Sequence, residues 1–269
     1  MNREKVYGCV LSDVGKVRKN NEDNYLLGHV MNADSKGESS AEAVVDTKKC
    51  NCFAVFDGMG GIENGEIASR IAAQTFQKMS FILEENEVSY SDYSAIKMLV
   101  KNTFSEASNS IKEGQLQGSL CGTTASVVMT WNDKVKIFHV GDTRVYIYRN
   151  GELYLLSVDQ TLAQMKVDMG VYKSINEASE KEYHQLTNFL GADYSIVVPF
   201  ESEWISLEEG DRILICSDGL YDMCNDKQIL YVLEKEKNIK SAASSLVDFA
   251  NRNGGKDNVT VLLMEKLCQ

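Results

Sequence analysis

Short apolar runs of strand type alternate along this chain with polar turns and with a few longer segments of helical period. The runs typical of strands cover residues 6–12, 25–30, 53–57, 122–131, 134–140, 144–148, 153–157, 196–204, 212–216 and 258–263. Two neighbouring pairs are separated by Asn132-Asp133 and by a turn containing Asn150-Gly151, both of which favour tight hairpins. The pattern therefore predicts strands that pair antiparallel with their neighbours in sequence.

Helical periodicity occurs in two long segments and two shorter ones. Apolar residues recur every three or four positions between Ala68 and Ile82, and again between Ile96 and Ile111 before Gly114 ends the pattern. The shorter segments cover about 226–234 and 240–252. Residues 31–50 are small, polar and without a period, which predicts an exposed loop, whereas residues 159–190 contain weakly amphipathic helical pieces with many charges.

Antiparallel strands in series, with helices grouped in pairs, favour the α+β class over a parallel β-α-β sheet. The simplest architecture is a four-layer α-β-β-α sandwich, in which two stacked antiparallel sheets each carry a helix pair on the outer side. With no low-complexity linker and no internal repeat, the whole chain, 1–269, is expected to form one domain.

Composition and charge narrow the classes of function. The net charge is −11 and the sequence pI is near 4.9, which argues against nucleic acid and anionic membranes as partners. No stretch approaches the roughly 20 apolar residues of a membrane span, and no signal-peptide core follows the N-terminus. Seven cysteines indicate buried thiols in the cytoplasm. Cys50-x-Cys52 lacks a second pair at metal spacing, so a zinc site there is disfavoured.

One stretch suggests chemistry by itself. The apolar run Phe53–Phe56 ends on the carboxylate Asp57, which Gly58-Met59-Gly60-Gly61 follows. Glycine tolerates the backbone angles of a sharp turn, so the run predicts a strand, a turn and then a helix. A carboxylate fixed beside bare backbone suits a metal ion or a phosphate. An ordinary Asp-Gly turn is the alternative.

Further acidic residues recur at strand ends or in tight polar turns. The complete set is Glu22, Asp23, Asp57, Asp142, Asp218 and Asp257. Three of these, Asp57, Asp142 and Asp218, are adjacent to a glycine. Oxygen ligands alone suit hard divalent ions such as Mg²⁺, Mn²⁺ or Ca²⁺ better than zinc. The sequence therefore predicts a metal site built from strand ends.

The order of motifs resembles that of the bacterial metal-dependent protein phosphatases, the type 2C serine/threonine phosphatase family. The motifs are Ser12-Asp13-Val14-Gly15-x-x-Arg18-x-x-Asn21-Glu22-Asp23, Asp57-Gly58-Met59-Gly60-Gly61, Gly122-Thr123-Thr124-Ala125, Gly141-Asp142-Thr143-Arg144, Ser217-Asp218-Gly219-Leu220 and Lys256-Asp257-Asn258-Val259-Thr260. They cover nearly the whole chain in the family's order. The family's fold is also a sandwich of two sheets between helix pairs.

The resemblance implies a role for each acidic residue. Two Mn²⁺ or Mg²⁺ ions, and in some members a third, would be held by the set. By resemblance, Asp57 bridges the two ions, Asp218 and Asp257 complete one of them, Glu22 and the Gly58 carbonyl serve the other, Asp23 orients its waters, and Asp142 holds the third with Asp218. Arg18 would bind the substrate phosphate, whose oxygens suit the guanidinium fork. Without the family pattern, a surface pair between Arg18 and Glu22 is the simpler interpretation.

The implied activity is hydrolysis of phosphoserine and phosphothreonine in proteins, by attack of a water activated between the two ions. The implied partners are phosphoproteins and a cognate serine/threonine kinase, and a monomer is expected. Two alternatives remain open. One is a pseudophosphatase that binds phosphoproteins without turnover, and the other is a phosphatase of small metabolites.

Three features depart from the family pattern. Met59 stands where eukaryotic relatives have a histidine, and its thioether cannot donate a proton. The motif that usually contains Asp-His-Ser/Thr is Asp159-Gln160-Thr161 here. The 31–50 segment is longer than expected. Residues 159–190 would form a flap beside the active site, with a purely structural helical insert as the alternative. His139 lies in an apolar strand and is expected to be a core or edge residue, whereas His29 and His184 have no catalytic context in the sequence.

Overall fold

Two large antiparallel sheets face each other, and helices cover the outer side of each. The computed structural model describes residues 5–267 apart from 34–36, 61–63, 86–92, 115–120, 193–196 and 198. The strands are β1 (Lys5–Asp13), β2 (Asn24–Leu27), β3 (Val30–Met31), β4 (Ser39–Asp46), β5 (Asn51–Phe56), β6 (Gly58–Gly60), β7 (Cys121–Thr123), β8 (Ala125–Trp131), β9 (Lys134–Val140), β10 (Arg144–Arg149), β11 (Glu152–Leu155), β12 (Phe200–Glu201), β13 (Ile205–Ser206), β14 (Arg212–Cys216) and β15 (Val259–Leu267). The helices are α1 (Gly65–Glu85), α2 (Tyr93–Gly114), α3 (Leu162–Asp168), a 3₁₀ turn (Ile175–Glu177), α4 (Glu180–Tyr183), α5 (Asp218–Tyr221), α6 (Asp226–Lys235) and α7 (Ile239–Arg252).

The strand order shows how distant parts of the chain meet. One sheet has the order β11-β10-β14-β15-β1-β4, and the other has β12-β9-β8-β5-β2-β3 with β13 also beside β9. All strand pairs in both sheets are antiparallel. The first and last strands, β1 and β15, are neighbours, so the two ends of the described chain lie in the same sheet.

Three apolar clusters account for the four layers. In β5, Phe53 and Val55 pack between the two sheets, whereas Ala54 and Phe56 point to the opposite side and contact α1 and α2. The second sheet alternates in the same way and packs its outer face on α6 and α7. Because successive side chains of a strand point to opposite faces, each of these strands is apolar on both sides. The predicted α+β four-layer α-β-β-α sandwich is confirmed.

The hairpin predictions are confirmed at the residue level. Asn132 and Asp133 have φ of 46° and 58°, and Asn150 and Gly151 have 53° and 80°. Positive φ at both central residues defines the turn whose twist matches that of the flanking strands. The register confirms the tight connections, since Trp131 pairs with Lys134 across the first hairpin.

Several predicted boundaries were wrong. Residues 31–50 are not only a loop, because β4 forms an edge strand on β1. An edge strand has one neighbour and one protected face, so it needs no apolar run and escapes a search for one. The predicted strand 25–30 is split into β2 and β3, and within 196–204 the described residues contain only the two-residue β12. Gly58–Gly60 form the short strand β6 on β7, where a turn was predicted.

The segment 159–190 contains α3, the 3₁₀ turn and α4. A bridge between Thr161 and Leu186 lies within the segment, and a second bridge joins Leu190 to Thr123 in β7. Its role as a flap, like the single-domain organisation, stays a prediction. In the described part of the chain, no helix combines the length and the apolar character that a membrane crossing requires.

Candidate functional site

One cavity of about 660 Å³ opens at the end of the sandwich where several strands terminate. Six of the predicted site residues line it, namely Arg18, Glu22, Asp57, Gly58, Asp218 and Asp257. The other two, Asp23 and Asp142, are buried behind the wall, with exposed fractions of 2% and 6%. The structure thus brings all eight predicted positions to one place.

Strand register places the first pair of carboxylates together. Asn24 in β2 pairs with Phe56 in β5, and the next residue outward on each strand is Asp23 and Asp57. The backbone of Asp57 is fixed from the other side, because its N–H donates to Thr124 Oγ1 and its carbonyl accepts from the Thr124 N–H, both at 2.9 Å. Asp57 is therefore held at a strand end with little freedom.

A second pair arises in the same way in the other sheet. Arg144 in β10 pairs with Cys216 in β14, and continuing that register places Asp142 opposite Asp218. Asp218 begins α5, and Tyr221 in the same helix donates a hydrogen bond to the Asp142 carbonyl at 3.1 Å. Each sheet thus contributes two aspartates, and the stacking of the sheets brings the pairs together.

The buried carboxylate Asp23 receives hydrogen bonds from two hydroxyl groups. Ser217 and Thr260 each donate to Asp23 Oδ2 at 2.7 Å. Thr260 is also hydrogen-bonded to Ser12 at 2.7 Å, and Asn21 donates to Ser12 at 2.9 Å. The network fixes the orientation of Asp23 behind the cavity.

Arg18, Glu22 and Asp257 occupy the cavity wall nearest to solvent. One Arg18 nitrogen lies 2.6 Å from Asp257 Oδ2, and the Arg18 side chain is 49% exposed. Asn258 organises this wall, since its side-chain oxygen accepts from the Glu22 N–H at 2.8 Å and its amide donates to two backbone carbonyls. The remaining guanidinium donors of Arg18 stay available at the cavity mouth.

Burial and mutual repulsion change the acidity of this set. Loss of hydration is the main cause that raises the pKa of Asp57 well above its usual range, and the charges of Asp23, Asp218, Asp142 and Asp257 raise it further. Burial raises the pKa of Asp23 to about 7 despite its two hydroxyl partners, and burial raises that of Asp142 to about 7. Asp57 and Asp218 are each acted on by the charges of four other aspartates.

Such a cluster fits divalent cations. Six carboxylates in one partly buried cluster oppose ionisation in the absence of positive charge, and the donor atoms are all oxygen, as Mg²⁺ and Mn²⁺ prefer. A backbone carbonyl, that of Gly58, lies in the same wall. The donor set and the charge therefore agree with the predicted metal site.

Gly58 is required by space and not by its φ angle. A Cβ atom at this position would lie 2.3 Å from the Gly65 carbonyl oxygen and 2.4 Å from that of Glu22. The Gly58 N–H donates to the Glu22 carbonyl at 3.2 Å. The close approach of three backbone segments at the cavity is possible only without a side chain here.

Sequence reasoning missed two residues at the cavity, His184 and Asp222. His184 follows α4, and its imidazole lies near Asp218 and Asp222, with nitrogen–oxygen distances of 3.8 and 3.6 Å. Asp222 ends α5, one helical turn after Asp218. The spacing Asp218-x-x-x-Asp222, one helical turn, could have predicted that Asp222 lies beside Asp218. The position of His184 next to these two aspartates depends on the fold of residues 159–190 and is not predictable from a local pattern.

An arginine connects this segment to the sheets. Arg144 donates from Nε to Asp159 Oδ1 at 3.1 Å and from a terminal nitrogen to Asp159 Oδ2 at 2.7 Å. It also donates to the Tyr183 hydroxyl at 2.9 Å, and its guanidinium carbon lies 3.8 Å from the centre of the Tyr221 ring. Asp159 belongs to Asp159-Gln160-Thr161, the sequence that departs from the usual Asp-His-Ser/Thr motif. Its structural partner is Arg144.

Comparison with known proteins assigns the family. The family model described as protein phosphatase 2C matches residues 34–263. The chain belongs to the protein phosphatase 2C family. The resemblance expected from the sequence motifs is thereby confirmed.

Individual relatives of the protein phosphatase 2C type extend this finding. The serine/threonine protein phosphatase PstP of Mycobacterium tuberculosis is 29% identical over 255 residues, which are 94% of this chain and 44% of that protein. This chain therefore spans less than half the length of that relative. Among solved structures, a serine/threonine phosphatase of S. agalactiae has a TM-score of 0.79 at 30% identity, covering 97% of this chain and 99% of that one. The catalytic domain of PstP in complex with two manganese ions has a TM-score of 0.73 at 28% identity, covering 98% and 100%.

Proposed function

We propose that this protein is a metal-dependent protein serine/threonine phosphatase that hydrolyses phosphoserine and phosphothreonine. The observation that carries the proposal is the convergence of four aspartates on Asp57 at a cavity whose mouth holds Arg18. Membership of the protein phosphatase 2C family supports it. The structure of the related PstP domain with two manganese ions supports the metal requirement.

The residues that would hold Mn²⁺ or Mg²⁺ are those around Asp57. Asp57 would help to hold two ions, Asp218 and Asp257 would help to hold one of them, and Glu22 with the Gly58 carbonyl would help to hold the other. Asp142 would hold a third ion with Asp218. When bound, the ions supply positive charge for the phosphoryl oxygens and lower the pKa of the attacking water.

The chain itself contributes position and charge. Arg18 keeps one nitrogen on Asp257, and its other donors bind two phosphate oxygens of the substrate. Asp23, held by Ser217 and Thr260, orients the water on the Glu22 side of the set. Met59 lines the cavity but has no proton for the leaving alkoxide.

The substrates that we propose are phosphoproteins, and a cognate serine/threonine kinase would produce them. We expect the protein to act in the cytoplasm, since the cysteines of the described chain are buried thiols: Cys9, Cys50, Cys52, Cys121, Cys216 and Cys224. Cys50 and Cys52 are among them, which supports a structural role over a zinc site. The monomeric state stays a prediction.

A direct assay separates this function from the two alternatives. Purified protein with Mn²⁺ is expected to hydrolyse p-nitrophenyl phosphate and a phosphothreonine peptide, and the chelator EDTA is expected to stop both reactions. Absence of Mn²⁺-dependent hydrolysis of either compound would favour a pseudophosphatase. Slow turnover of phosphopeptides beside rapid turnover of a small phosphorylated metabolite would favour the metabolite phosphatase.

A further inference from the structure

The part of the cavity wall that holds Arg18 is built by two loops in direct contact, residues 15–19 and 254–257. The Lys16 N–H donates to the Gly255 carbonyl at 2.8 Å. A Cβ atom on Gly15 would lie 2.3 Å from the Asp257 carbonyl oxygen, so the two backbones touch. These contacts fix the backbone positions from which the side chains of both loops extend.

The two loops concentrate positive charge at the cavity. Three of the four residues 16–19 are basic, namely Lys16, Arg18 and Lys19, and the second loop contributes Lys256. All four are exposed, and Lys256 lines the cavity together with Arg18. We call these four residues the basic wall. Its charge is opposite in sign to that of the whole chain, which has a net charge of −11.

The stems of two lysines lie beside neighbouring glycines. A Cβ atom on Gly255 would lie 3.2 Å from Lys16 Cγ, and one on Gly254 would lie 3.7 Å from Lys256 Cγ and 3.4 Å from the Met223 sulfur. Met223 also lines the cavity. The absence of side chains at the two glycines therefore leaves room for both lysine stems at the cavity rim.

The lysines of the basic wall are not paired within the described chain. Arg18 has a carboxylate partner, since one of its nitrogens lies 2.6 Å from Asp257 Oδ2. Among the residues that the structure describes, no carboxylate lies within ion-pair distance of Lys16, Lys19 or Lys256. Their charges are therefore available to a carboxylate of another molecule.

The helices beside the cavity carry the opposite charge. Glu180 in α4 and Asp222 at the end of α5 both line the cavity. A peptide that crosses the cavity therefore meets positive charge at the loops and negative charge at the helices. The effect of an acidic residue in such a peptide depends on which side of the phosphorylated residue it occupies.

We propose that Lys256 and Lys16 make the enzyme selective for phosphorylated sites that have an acidic residue beside the phosphoserine or phosphothreonine, on the side that crosses the basic wall. This inference rests on the proposed phosphatase function, because Arg18 takes the phosphate and the two lysines take the neighbouring carboxylate. Attraction between exposed charges acts on the binding of the substrate, so the selectivity is expected in KM more than in kcat.

A series of phosphothreonine peptides tests the selectivity. The reference peptide has alanine on both sides, and one Asp is placed in turn at each position within about three residues of the phosphothreonine, since an extended chain covers about 3.3 Å per residue. With Mn²⁺, kcat/KM is expected to rise by about fivefold or more for Asp on one side only. The preference is expected to shrink when NaCl is raised from about 50 mM to about 500 mM, because salt screens exposed charges. A uniform kcat/KM across the series would overturn the proposal.

Variants of Lys256 assign the preference to the basic wall. For each variant, the ratio of kcat/KM between the preferred Asp peptide and the reference peptide is measured, so a general change in activity cancels. Lys256→Gln is expected to lower this ratio to about twofold or less, and Lys16→Gln is expected to lower it by a smaller factor. Lys256→Glu is expected to reverse the preference, so that a peptide with Lys in place of the Asp becomes the better substrate.

The matched control is Lys134→Gln. Lys134 is exposed and begins β9 at the end of the sheet where β5 starts, remote from Asp57. This variant is expected to keep the wild-type ratio. A wild-type ratio in both Lys256→Gln and Lys16→Gln would refute the assignment to these lysines.

The same series separates this inference from the proposed function. Hydrolysis of all the phosphopeptides at similar kcat/KM would refute the selectivity and leave the phosphatase function intact. The absence of Mn²⁺-dependent hydrolysis of every peptide would contradict both.

Discussion

At the scale of single residues, the acidic set raises the pKa of its own members, most strongly at Asp57 and Asp218. Asp57 is the group on which the charges of Asp23, Asp142, Asp218 and Asp257 all act, and its backbone is clamped on Thr124. The other carboxylates have local hydrogen-bond partners or solvent. Loss of hydration and the repulsion among these carboxylates both disfavour the ionised, metal-free site, and bound cations would offset both.

The Asp57→Asn variant tests both the role of Asp57 in turnover and its effect on the stability of the metal-free protein. Turnover of p-nitrophenyl phosphate with Mn²⁺ is expected to fall by about 10³-fold or more, because a proposed metal-binding carboxylate is lost. In EDTA at pH 8 the same variant is expected to melt at a higher temperature than the wild type, because one repelling charge is gone. Asp248→Asn, on the exposed face of α7, is the matched control and is expected to change neither quantity. A variant that keeps near-normal turnover would contradict the role of Asp57.

At the scale of elements, the cavity depends on close approach between segments. The end of β5, the start of α1 and the residue Glu22 meet at Gly58, where a side chain has no room. The carboxylates themselves come from the ends of strands whose register is fixed by the sheets. The packing of these elements therefore sets the distances between the carboxylate groups, and a small change in packing moves the carboxylates apart.

Gly58→Ala is expected to lower the free energy of unfolding by about 2 kcal/mol, since backbone atoms and not a flexible side chain must give way. It is also expected to weaken Mn²⁺ binding. Gly114→Ala provides the control, because a Cβ there would meet only the tip of Ile71 at 3.4 Å. Chemical denaturation and Mn²⁺ titration of the two variants measure both effects. Equal stability of the two would show that the backbone at Gly58 relaxes freely.

Arg144 anchors segment 159–190 to the sheets. The Arg144–Asp159 pair is mostly buried, with 15% and 12% of the side chains exposed. Arg144→Met leaves Asp159 without its partner and is expected to cost about 3 kcal/mol of stability. Hydrogen exchange across 159–190 is expected to accelerate.

The matched control for that change is Arg252→Met, at an exposed pair with Asp248. Surface pairs of this kind contribute less than about 1 kcal/mol. Chemical denaturation of Arg144→Met and Arg252→Met measures the free energy of unfolding that each variant loses. An equal, small loss in both would mean that the segment is held by its other contacts.

At the scale of the whole molecule, the two sheets bring like charges together. Each sheet supplies one pair of aspartates at the same end of the sandwich, so the fold itself concentrates negative charge. Apolar packing between the sheets, in the cluster that includes Phe53 and Val55, opposes this repulsion. Stability and metal binding are therefore coupled.

The metal-free protein is expected to lose stability as the pH rises from about 4 to about 7. Burial raises the pKa of Asp23 and of Asp142 from 3.8 to about 7 in the folded state. In that window the folded state binds more protons than the unfolded chain, so deprotonation favours unfolding. Thermal melts in EDTA at pH 5 and pH 8 measure the effect.

Mn²⁺ reverses that trend. Binding to the folded state alone raises the melting temperature, by a shift that grows with the ratio of free ion to dissociation constant. At pH 8 the melting temperature in millimolar Mn²⁺ is expected to exceed that in EDTA by several degrees. Identical melts with Mn²⁺ and with EDTA would contradict a shared binding pocket.

The amino-acid sequence by itself determined the features that depend on neighbours along the chain. Examples are the apolar run of β5, the turn residues Asn150-Gly151 and the periodicity of α7. Each of these features depends on a short stretch of sequence, so the sequence of that stretch is enough to predict it. The acids at strand ends were visible for the same reason. Strand β4 was not, because an edge strand needs no apolar run.

Only the tertiary structure decided which distant groups meet. Ser217 reaches Asp23 across 194 positions of sequence, and Arg18 reaches Asp257 across 239. Gly58 is required by a contact with Gly65 and Glu22, and His184 meets α5 because segment 159–190 folds back over the cavity. A local pattern states which face of an element is buried, but register and sheet stacking determine what lies against that face.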